Sequence, residues 1–102
     1  MSFRISQKAD VLVQLRVLRD RAKKTGTDSR FIRATKQVLQ HLESHPTEWG
    51  DPEYHLKHEG GVVYRGIEDR LLIVRFAVYA IEKSVYVLEV KPFPRSPLAQ
   101  EQ

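Results

Sequence analysis

The sequence contains no cysteine, which excludes a disulfide framework, a cysteine-based zinc site and thiol catalysis. No run of 18 apolar residues exists to span a bilayer. Met1 to Asp10 lacks the apolar core of a secretory signal, so the expectation is a cytoplasmic protein with no membrane attachment. No internal repeat and no low-complexity tract breaks the chain. What remains is 102 residues with a hydrophobic fraction of 41%, enough for one domain built on one core. A domain of that size buries roughly 60–70% of the surface its unfolded chain exposes.

The net charge is +4, and it is unevenly placed. Residues 1–45 hold ten Lys and Arg against four Asp and Glu, a balance of +6. Residues 46–102 hold seven against nine, a balance of −2. A basic half beside a slightly acidic half suits a polyanion or an acidic protein as partner, and equally a solvated helix face. The basic cluster consists of Arg16, Arg19, Arg21, Lys23, Lys24, Arg30, Arg33 and Lys36.

Hydrophobic spacing places the elements. Phe3 and Ile5 alternate with polar residues and predict a short strand over 2–5. Ser6 is a candidate cap for a helix over about 7–25, with Asp10 in its first turn. Val11, Leu12, Leu15, Leu18 and Ala22 form its apolar stripe, and Gly26 ends it. A second helix, over about 28–45, follows a cap at Thr27 or Asp28 and buries Phe31, Ala34, Thr35, Val38 and Leu42, with Ile32 and Leu39 on its flank. Pro46 stops it. The short connection predicts an antiparallel helical hairpin. Trp49, in the loop that follows, is expected to anchor helices to sheet.

From Tyr54 onward the period changes to two. Strands are predicted over about 54–67, interrupted by a bulge at Gly60-Gly61, then over 70–81 and 84–92. Leu72, Val74, Phe76 and Val78 share one face of the middle strand, and Leu71, Ile73, Arg75, Ala77 and Tyr79 the other. Strict alternation on the last strand sets Tyr86, Leu88 and Val90 against Val85, Val87, Glu89 and Lys91. One sheet face is wholly apolar and must meet the helices. The mixed face, with Arg75, Tyr79, Glu89 and Lys91, is where a site belongs. The proline-rich tail over 92–97 is expected to run extended across the surface. The fold class is α+β, an N-terminal helical hairpin packed on a C-terminal antiparallel sheet.

This order of elements resembles the RelE/ParE toxin superfamily. The stretches that carry the likeness are HLESHPTEWGDP at the end of the second helix, the strand GVVYRG, and RLLIVRFAVYAIEKSVYVLEV. The resemblance covers nearly the whole chain. It implies the toxin of a toxin–antitoxin pair, silenced by a small acidic antitoxin. RelE-like members cut messenger RNA in the ribosomal A site, and ParE-like members poison DNA gyrase.

Cleavage of that type deprotonates the 2′-hydroxyl, neutralises the phosphorane and protonates the leaving oxygen. By resemblance, the middle-strand arginine falls on Arg75, a residue type suited to phosphate charge. Lys57 stands where RelE carries lysines, and Lys91 or Arg95 where a basic residue follows the last strand. His55, His58 and Tyr79 are the proton-transfer candidates, and Tyr79 suits stacking on a base or packing across strands. Arg16, Arg19, Lys23 and Lys24 are the candidate contacts to RNA phosphates. The C-terminal tyrosine of RelE has no counterpart, because the chain ends PLAQEQ. The implied enzyme is a metal-independent endoribonuclease that needs no cofactor. The other reading is a non-catalytic protein-binding member of the same fold, directed at gyrase or degenerate. His41 and His45, four apart, have a spacing that can bind a metal, but the sequence supplies no third ligand and no metal site is expected.

Overall fold

The computed structural model describes residues 2–99. Met1 and the last three residues of the PLAQEQ ending lie outside them. The order of elements is β1 (Arg4–Gln7), α1 (Ala9–Lys24), α2 (Asp28–Ser44), the single turn α3 (Pro46–Trp49), β2 (Asp51–Leu56), β3 (Gly61–Glu68), β4 (Leu72–Tyr79), β5 (Ser84–Pro92) and a closing 3-10 turn, Pro97–Ala99. The strands form one sheet in the order β1-β5-β4-β3-β2. β1 runs parallel to β5 and every other neighbour is antiparallel. The sheet is therefore mixed, because the chain enters at one edge, crosses through the helices and returns as a meander.

Ser6 does not cap α1. It lies in β1, and the helix begins after the extended residue Lys8. At the other end the N–H groups of Gly26 and Thr27 donate to the carbonyls of Lys23 and Ala22, closing the helix with the paired bonds of a Schellman turn. Pro46 ends α2 but also opens α3, where its missing N–H costs nothing in the first turn. Phe31, Ala34, Val38 and Leu42 of α2 meet Val11, Leu18 and Ala22 of α1 above the apolar face of the sheet. Thr35 is half-buried, not core.

Three corrections to the predicted sheet follow from its hydrogen bonding. The stretch over 54–67 is two strands, because Gly60 takes a left-handed conformation (φ 75°) and reverses the chain into a β2–β3 hairpin. The sheet face of β5 is not set by strict alternation. Arg75 pairs with Glu89 while Phe76 pairs with Val87, so Leu88 is an extra residue, a β-bulge. Val85 and Val87 therefore join Val90 in the core, while Glu89 and Lys91 keep to the open face. The segment over 92–97 does not run extended across the surface: the Ser96 N–H donates to the Phe93 carbonyl in a turn, and Ser96 is buried. Beyond it Leu98 is fully buried in the core, and Arg21 donates to its carbonyl at 3.0 Å.

Trp49 joins the layers. Its ring stacks on His41 at 4.9 Å and on Phe76 at 5.6 Å, and Tyr64 stacks on Phe76 in turn.

Candidate functional site

The helices cover one face of the sheet, so the chemistry available on the sheet lies on the other. Cross-strand pairing orders that open face into rows. In one row Asp51, Arg65, Arg75 and Glu89 stand side by side on β2, β3, β4 and β5. Directly opposed arginines repel, and this row is stable because carboxylates flank and reach across it. Arg75 Nε donates to Glu53 Oε1 at 3.1 Å, and its Nη1 lies 3.5 Å from Glu89 Oε1. Its Nη2 donates to the Tyr54 hydroxyl at 3.4 Å, a long contact. The hydrogen bond to Glu53 is the main cause that raises the Arg75 pKa above its ordinary value, so the guanidinium is held fully charged.

The next row is Tyr54, Val63, Ala77 and Tyr86. Val63 and Ala77 are buried although no helix covers them, and they form a small apolar floor between two exposed phenols. Tyr79 closes the far side. Its hydroxyl donates to Glu59 Oε1 at 2.8 Å, and its ring lies so close to β3 that a Cβ at Gly61 would come within 2.6 Å of it. The bond to Glu59, then burial, raises the Tyr79 pKa, which keeps the phenol protonated. Tyr79 is thus a donor and a poor base.

Of the residues expected in the site, Arg75, Tyr79 and Lys91 share the open face, Lys91 opposite Ile73. His55 pairs with Val62, one residue out of phase with Tyr54, and so sits on the other face of the edge strand β2. Lys57 and His58 are exposed in the β2–β3 turn, and none of the contacts that hold Arg75 comes from them. Arg95 lies in the turn after β5 with φ 69°. The basic residues Arg16, Arg19, Lys23 and Lys24 are on α1, across the sheet from Arg75. Glu53, Tyr54, Glu59 and Arg65 are the contacts the sequence reading missed. A hairpin at Gly60-Gly61 was the available signal, because it places residue 54 opposite residue 63.

A second surface opens on the helix side. An apolar cleft of about 180 Å³ lies between α1, α2 and the sheet, lined by Leu12, Leu15, Val38, Leu39 and Val87 among others. Leu12 and Leu39 remain half-exposed at its mouth, at 49% and 50%. Helical spacing sets Arg16, Arg19 and Lys23 on the stripe of Leu12, and Lys36 on the stripe of Leu39. The cleft lining is almost wholly apolar and holds no charged side chain.

The chain is similar in structure to archaeal RelE in the crystal structure of the RelE–RelB complex from Pyrococcus horikoshii OT3, with a TM-score of 0.56 and 19% identity over 94% of this chain and 100% of that one. The chain has the RelE fold. No protein-family description and no curated protein matches the sequence. No helix among the described residues is long and apolar enough to cross a membrane.

Proposed function

We propose that the chain is the toxin-like component of a toxin–antitoxin pair, and that its open sheet face acts on messenger RNA at the ribosome. The observation that carries this reading is the RelE fold with a charged arginine, Arg75, at the centre of the uncovered face. Arg75 neutralises the phosphate charge that develops in cleavage, and Arg65 and Lys91 on the same face support it. Tyr54 takes the part for which RelE uses its terminal tyrosine, being the phenol within reach of Arg75. Tyr79 holds a proton and suits donation or stacking on a base across the Val63–Ala77 floor. The partner is a small acidic antitoxin, whose apolar side chains fit the cleft between α1 and α2 and whose carboxylates meet the basic residues farther along those helices.

One observation favours a second reading, in which the face binds gyrase or another protein without catalysis. Glu53 and Glu89 already occupy Arg75, so a phosphate must displace them. Exposed ion pairs of this kind contribute about 0–1 kcal/mol, which RNA phosphates can overcome. The deciding experiment adds purified protein to a cell-free translation reaction and maps message breaks by primer extension, with Arg75→Ala and Tyr54→Phe beside it. Cuts within translated codons, lost with Arg75→Ala, are the expected result. Intact message under normal translation would overturn the nuclease reading in favour of a protein target.

A further inference from the structure

We propose that His41 and His45 form a binding site for a divalent transition cation of the zinc, nickel or copper class, with Glu68 as the group that orients the first imidazole. The two histidines stand one helical turn apart where α2 ends. His41 Nδ1 and His45 Nε2 face each other at 3.0 Å. Two imidazole nitrogens that share one tetrahedral ion, each at about 2.0–2.1 Å, stand roughly 3.3 Å apart. The ion therefore needs the nitrogens to part by about 0.3 Å and the exposed His45 ring to tilt, so that the two lone pairs meet at the ion and not at each other.

The other side of the His41 ring supplies what the sequence could not place. Its Nε2 lies 3.2 Å from Glu68 Oε1 at the end of β3. The carboxylate accepts a hydrogen bond from Nε2–H, which keeps the proton on that nitrogen and leaves the Nδ1 lone pair directed at His45. A carboxylate behind a ligating histidine fixes its tautomer and raises its basicity. The ring plane is fixed as well, by stacking on Trp49 at an interplanar angle of 11°. The adjustment to the ion therefore falls on His45 and on rotation of the His41 ring within its plane. The proton that lies between the two rings in the free protein moves through solvent to His45 Nδ1 on binding.

His45 is exposed, so the remaining coordination positions are open to water. Among the described residues no group of three or more His, Cys, Asp or Glu gathers to hold an ion. The site is a two-imidazole chelate completed by solvent, which selects cations that accept nitrogen and disfavours magnesium and calcium.

Trp49 is the only tryptophan in the sequence and touches His41, which provides the readout. The full chain, without a histidine tag, is titrated with nickel chloride and with copper chloride while Trp49 emission is followed, with magnesium chloride as control. Saturable quenching, reversed by a chelator and absent with magnesium, is expected. His45→Ala should abolish it, and because His45 is exposed the variant should keep the far-ultraviolet circular dichroism of the parent. The double variant His55→Ala, His58→Ala should quench as the parent does. Glu68→Gln should weaken the affinity about 10–100-fold. No saturable quenching in the parent, or quenching that survives His45→Ala, overturns the site. Unchanged affinity in Glu68→Gln overturns the role given to that carboxylate.

Discussion

The two faces of the sheet are made from the same strands, yet they are held by different forces. On the helix side Leu72, Val74, Phe76 and Val78 of β4 are buried against two helices and the returning tail. On the open side Arg75 and Tyr79 of the same strand are partly exposed and held by carboxylates, Glu53 and Glu89 on one and Glu59 on the other. Apolar contact is non-directional and worth about 1.5–3 kcal/mol for each large side chain fully buried. Charged hydrogen bonds near solvent are directional and contribute little to stability. The lesson is a division of labour: the covered face supplies the folding energy, and the open face can carry groups chosen for their chemistry.

The largest break in that comparison is expected from Phe76→Ala. The residue is fully buried and stacks with both Trp49 and Tyr64, so urea unfolding should show a loss of about 3–5 kcal/mol. Gly66→Ala comes next. A Cβ there would lie 2.5 Å from the Trp49 ring, and the ring cannot retreat without disturbing Phe76. Overpacking of this kind costs about 1–3 kcal/mol, with a matching fall in thermal midpoint. Arg75→Ala, on the other face, should change stability by no more than about 1 kcal/mol, and on the proposed nuclease reading it should remove any cleavage of translated message. A loss as large as that of Phe76→Ala would end the division between the faces.

The smallest effect sharpens the open face alone. Tyr79 has a folded-state pKa above its unfolded value, so the folded protein holds that proton more tightly. Its contribution to stability is complete below the unfolded phenol value of about 10 and is lost as pH rises through the folded value. Glu59→Gln should bring the ultraviolet titration of Tyr79 down towards that ordinary value. An unshifted titration would remove Glu59 as the cause.

Much of this was legible in the residues. The 3.6-residue stripes of α1 and α2, the change to a period of two after Tyr54, and the parity that separates Val74 and Phe76 from Arg75 are local patterns, and each survives in the structure. The candidate site was legible only at Arg75, Tyr79 and Lys91, which share a face by parity along or across a simple turn. Lys57 was drawn towards Arg75 by the resemblance to RelE, and His55 and His58 as its neighbours in sequence. The hairpin at Gly60 put His55 on the other face and Lys57 at the turn.

The sequence by itself determined the elements and which side of β4 meets the core, because periodicity is a property of neighbours along the chain. It could not determine the partners of the charged groups. Glu53 of β2 reaches Arg75 of β4 across β3, Leu88 shifts the register of β5 by one residue, and Leu98 returns 77 residues later to accept from Arg21. Glu68 arrives behind His41 in the same way. These contacts depend on how strands pair and where turns close, and many different pairings satisfy the same local pattern. Only the tertiary structure chose among them, by burying one continuous apolar face and leaving Arg75 to meet Glu53 and Glu89 on the other.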